Sequence, residues 1–132
     1  MANNTNTVIN EDEVKLKGLQ EMLQRQRVAE RERLKQEKAE YEKTNSQIKS
    51  LVNNLIECEN NLTQTYEKIN LGISCGDKAV TNGIEKIMDY KGKLTENRTT
   101  LEEISREIDI EISKLNDQIN TLNSQIYWGW SV

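Results

Sequence analysis

Cys58 and Cys75 are the only two thiols of a chain that contains no histidine. Their spacing fits none of the zinc patterns, and the commonest metal ligand and general base is missing altogether. No metal and no cofactor is therefore expected. Most of the 22 acidic side chains fall at the solvent-facing positions of a repeat, with no nucleophile beside a base and no glycine-rich phosphate loop, so no enzyme is expected either. Cys58 reads as a small core residue and Cys75 as an exposed thiol at a turn. Asn3, Asn61 and Asn97 begin N-x-T sequons, expected to be unused because the N-terminus lacks the basic and apolar regions of a secretory signal.

The remaining residues with chemistry to offer are aromatic. Both tryptophans, Trp128 and Trp130, stand in the last five positions, "WGWSV". A tryptophan can close a small core, burying on the order of 150–250 Å², or anchor a partner, since tryptophan dominates interface hot spots. The elements that carry these residues bear on which role applies.

The 132 residues are 30% charged and 35% hydrophobic, with no Pro, no Phe and a formal charge of −4. That mixture allows one domain with a thin core. It offers no net-positive surface for nucleic acid. Arg25, Arg27, Arg31 and Arg33 are offset by Glu30, Glu32 and Glu37, and no aromatic residue interleaves with them for stacking. Apolar runs are too short for a membrane span, and the expected location is the cytoplasm.

Residues 1–10 are rich in Asn and Thr and read as a disordered tail, with Asn10 and Glu13 forming a capping pattern. A first helix is expected over 11–69, about 60 residues or on the order of 90 Å. A turn at 70–77 holds Gly72 and Gly76. A second helix is expected over 78–127, capped by Asp77, followed by an aromatic tail at 128–132. Leu34, Tyr41, Ile48, Leu55, Leu62 and Ile69 recur at heptad spacing, as do Val80, Ile87, Leu94, Leu101, Ile108, Leu115 and Leu122. Sustained heptads joined by a short turn predict an all-α fold, a long antiparallel two-helix coiled-coil hairpin.

Folding about the turn sets Ile69 beside Val80 and Leu34 beside Leu115. The companion seam expected from the same reflection pairs Thr65 with Ile84, Cys58 with Lys91, Leu51 with Arg98, Thr44 with Ser105, Glu37 with Ile112 and Glu30 with Ile119. Burying those charges would be costly, so this side is expected to stay open. It would leave Ile84, Ile112, Ile119 and Ile126 as a flank for another helix. At the free end Leu23 faces Ile126, and Leu16, Leu19, Met22 and Leu23 form an isolated apolar group within reach of Trp128 and Trp130.

The stretch "LEEISREIDIEISKLNDQINTLNSQI", Leu101 to Ile126, resembles the C-terminal helix of YwqH-like small helical companion proteins of LXG-type toxins, which belong to the type VII (Esx) secretion system. The resemblance rests on Leu115-Asn116-Asp117-Gln118-Ile119 and on Leu122 to Ile126. It implies an adaptor or chaperone that binds the helical N-terminal domain of a secreted toxin and travels with it. The break reads Ser74-Cys75-Gly76 rather than W-x-G, and Tyr41, Tyr66 and Tyr90 lack an acid four residues on. The export signal would then come from the toxin. The expected partner-binding residues are Leu19, Leu23, Ile84, Ile112, Ile119, Ile126, Trp128 and Trp130. The alternative is a structural coiled coil with no secretion role that self-associates as a dimer or tetramer, covering the same flank with another copy of itself.

Overall fold

The computed structural model describes the backbone of residues 2–72 and 78–131 and the side chains of residues 11–70, 78 and 80–129. It contains two helices, α1 over Ala2–Gly72 and α2 over Lys78–Ser131. The fold is the expected all-α helical hairpin, with the two helices packed against each other. α1 begins at Ala2, ahead of the cap expected at Asn10. Residues 1–17 contain neither Pro nor Gly, so nothing in that stretch interrupts the hydrogen-bond ladder. α2 passes Tyr127 and takes in most of the tail expected at 128–132. Most of the expected turn, with Cys75 and Asp77, lies outside the described residues.

The chain forms two compact units, each using part of both helices: residues 1–40 with 112–132, and residues 41–111. In the first unit Gln24 is hydrogen-bonded to the backbone of Ile126, and Arg31 to Asn123. In the second, Asn45 is hydrogen-bonded to Ser105 and Glu59 to Arg98. Within each unit rising numbers on α1 meet falling numbers on α2, so the pair is antiparallel.

Burial follows the heptads. The strip Leu34 to Ile69 on α1 and the strip Val80 to Leu122 on α2 are buried or half-buried throughout, as their spacing predicts. On α2 the companion strip is also the expected one, from Ile84 through Ser105 to Ile126. On α1 it is not. The inward residues are Gln24, Arg31, Lys38, Asn45, Val52, Glu59 and Tyr66, each one position C-terminal to the expected Leu23, Glu30, Glu37, Thr44, Leu51, Cys58 and Thr65. Cys58, expected in the core, is exposed.

Pairing chemistry explains the choice. Asn45 accepts a hydrogen bond from the Ser105 hydroxyl (2.6 Å) and donates one to the Asp109 carboxylate (2.7 Å). The Arg98 guanidinium donates to Glu59 (2.9 Å) and to Glu102 (3.0 Å). The expected strip would have set Thr44 and Leu51 against Ser105 and Arg98, leaving the half-buried Arg98 with Glu102 of its own helix as its one carboxylate and no partner on α1. The observed strip also brings the half-buried Arg31 and Lys38 level with Ile119 and Ile112, a placement suited to long side chains with apolar stems and charged ends.

Candidate functional site

The corrected strip alters the candidate surface. Ile119 and Ile126 are each 7% exposed, and Ile84 and Ile112 are half-buried. These four isoleucines were expected to form an open flank; they are instead one half of the seam between the helices, opposite the inward strip of α1 that runs from Gln24 to Tyr66. A third helix cannot dock on them without displacing α1.

The other expected group is open. Leu19 is 63% exposed and Trp128 66%, with Leu16, Met22 and Leu23 exposed as well. The reason lies in where the seam runs. Traced back from Gln24 at its own spacing, the inward strip of α1 falls on Gln20, Lys17 and Glu13. Leu16, Leu19 and Leu23, at spacings of three and four, share a different face of the helix. Moreover, Gln24 lies level with Ile126, so the last turn of α2 reaches only about as far as Leu19. Residues 11–18 are all exposed.

Trp128 does not close over this group. Its ring meets Tyr127 edge to face at 5.3 Å between centroids, and both rings stay exposed. The side chain of Trp130 lies outside the described residues. Val14 and Tyr127, outside the expected partner-binding residues, are also exposed at this end. Both were legible as apolar residues off the heptad seam.

What fixes α2 at this end is a polar contact. Gln24 is 3% exposed; its side-chain amide donates to the carbonyl of Ile126 (3.2 Å) and its oxygen accepts from Arg27 (3.2 Å). The carboxamide lies against the backbone of Gly129, where a Cβ would coincide with it. A side chain at 129 would have to push the Gln24 carboxamide aside, so glycine is what lets this contact form. Nothing in the heptad pattern announces it.

Charges are paired along α1 in the first unit and, in the second, both within α2 and between the helices. Arg33 bonds Glu30 (2.9 Å) and Glu37 (3.3 Å), and the Arg33 hydrogen bond holds the Glu30 carboxyl below the usual glutamate range. Arg98, bonded first to Glu59 and then to Glu102, is held still more firmly protonated. Among the described residues no group of three or more His, Cys, Asp or Glu could hold a metal ion. No described helix is long and apolar enough to cross a membrane. The arrangement offers apolar contact area bordered by mixed charge, which suits helix recognition.

Comparison with family models, with curated proteins and with solved structures finds no match to this chain.

Proposed function

We propose that this protein is a small helical adaptor that holds a helix of a larger protein at the end formed by Leu16, Leu19, Met22, Leu23 and Trp128. The observation that carries the reading is the exposure of these five large apolar side chains at one end of one unit, where the heptad seam turns polar. Water-facing leucines at spacings of three and four are the anchors an amphipathic helix would cover, and an adjacent tryptophan supplies a hot spot. The resemblance of Leu101 to Ile126 to LXG-toxin companions makes the helical N-terminal domain of such a toxin the first partner to try, with export of the pair as the biological role.

The test uses the protein's own tryptophans, both of which lie at this end. A recombinant LXG-type N-terminal domain is titrated into the intact chain while tryptophan emission is followed. The expected result is a blue shift that saturates, with affinity reduced at least about tenfold, or 1.4 kcal/mol, by Leu19→Glu or Leu23→Glu. Ile119→Val, inside the seam, should leave it nearly unchanged. Absence of binding, or binding indifferent to both leucines, would refute the proposal.

A further inference from the structure

In the second unit, Tyr41, Ile104, Glu107, Ile108, Ile110 and Glu111 line a groove along one side of the helix pair. Its apolar part is open to water. Tyr41 and Ile108 belong to the seam and are half-buried, whereas Ile104 is 39% and Ile110 55% exposed. On α1 the exposed positions of this side from Thr44 to Leu51 are Thr44, Gln47 and Leu51, none of them charged.

The rim of the groove is acidic. Residues 99–113 carry five acids, Glu102, Glu103, Glu107, Asp109 and Glu111, and one base, Arg106. Arg106 lies on the other side of the pair, beside Lys49 and Ser105, and Glu102 is bonded to Arg98. Glu111 stands three residues from Lys114, which offsets the charge at that end. Glu103 and Glu107 form no ion pair among the described residues. Elsewhere the chain neutralises exposed acids along its helices, Glu30 and Glu37 with Arg33, Glu32 with Lys35, and Asp89 with Lys93. Here it does not. Glu103, Glu107 and Ile110, at spacings of four and three, share one face of α2, and Glu107 is three residues from Ile104 as well.

We infer that this groove binds a short basic amphipathic helix of another protein, its aliphatic residues covering Ile104 and Ile110 and its lysines or arginines meeting Glu103 and Glu107. Long basic side chains suit both parts at once, because their methylene stems lie over apolar surface while their ends reach carboxylates. An anionic partner, whether nucleic acid or an acidic lipid surface, would be repelled. A second copy of this chain does not fit, since a two-fold that laid the groove on itself would set the glutamates of one copy against those of the other.

The row from Thr100 to Glu111 is about 17 Å long at 1.5 Å per residue, or three turns. A contact of that length falls short of the roughly 1,200 Å² at which stable interfaces begin. The complex is therefore transient, with charge setting the rate of encounter. The inference does not rest on the adaptor reading, whose surface belongs to the first unit.

Fluorescence anisotropy tests it, with a labelled leucine–lysine peptide, its leucines at spacings of three and four, titrated against the full chain. The expected result is saturable binding that weakens as salt is raised. Glu103→Lys with Glu107→Lys should raise the Kd more than about tenfold, and Ile110→Ser about fivefold. Helicity should persist in both variants because all three side chains are exposed. Glu67→Lys with Glu85→Lys makes the same change of net charge at exposed positions outside the groove and should leave the Kd within about twofold. Leu19→Glu, in the first unit, should do the same. Absence of binding would overturn the inference, as would equal affinity for a peptide of the same composition with its leucines scrambled. So would a Kd indifferent to Ile110→Ser, a control pair as damaging as the groove pair, or loss of binding in Leu19→Glu, which would place the peptide on the other unit.

Discussion

Adding one methyl group at position 129 tests how the end of α2 is held. In the wild-type protein Gly129→Ala drives the new Cβ into the Gln24 carboxamide, which must swing out. The Gln24 bonds to Ile126 and from Arg27 are then lost, at about 0.5–1.5 kcal/mol each, or roughly 2 kcal/mol together. Against this, alanine gains up to about 1 kcal/mol over glycine in a helix. The net expectation is a loss of about 1 kcal/mol. In a Gln24→Ala background the obstacle is gone, and the same substitution should stabilise by up to about 1 kcal/mol. The coupling between the two positions is therefore about 2 kcal/mol, with a change of sign. Urea unfolding followed by circular dichroism on the four proteins of the cycle measures it. Hydrogen exchange of the last turns of α2 shows whether the effect is local to that end. Independent sites would add within about 0.3–0.5 kcal/mol. Additivity, or stabilisation by Gly129→Ala in both backgrounds, would refute the reasoning about this contact.

Three further outcomes are expected. Ile119→Ala, at a buried position, should cost about 2–5 kcal/mol by chemical denaturation, whereas Leu19→Ala should change stability by less than about 0.5 kcal/mol; the reverse order would restore the isoleucines as an open flank. Asn45→Ala leaves the Ser105 hydroxyl unpaired at a cost of about 1–3 kcal/mol, while Asn45→Leu with Ser105→Ala should be much closer to neutral. A double variant as unstable as the single one would show that the layer contributes more than mutual satisfaction. Glu30 should titrate below the ordinary glutamate range by NMR and return to it in Arg33→Gln. Because its folded pKa is depressed, its small contribution to stability is present above the ordinary carboxylate pKa and is lost as pH falls through the folded value.

The two helices, the absence of breakers within them and the paired strips from Leu34 to Ile69 and from Val80 to Leu122 were determined by the sequence alone, because a heptad of large aliphatic residues has one way to leave water. The second strip of α2 was equally legible, since Ile84, Ile112, Ile119 and Ile126 repeat at the same interval. The second strip of α1 was not. Two candidates, one beginning at Leu23 and one at Gln24, flank the Leu34 strip on either side, and both alternate with it at spacings of three and four. Apolar content favours the first, which contains Leu23, Leu51 and Cys58. Only the tertiary structure decided for the second, because the deciding terms are pairwise: an amide opposite Ser105, a carboxylate opposite Arg98, and long side chains level with Ile112 and Ile119. The same one-residue choice buried the isoleucine flank and turned Leu23 and Leu51 toward water. Surface features follow from register, and register is set by contacts between residues far apart in the chain, which periodicity along one helix does not contain.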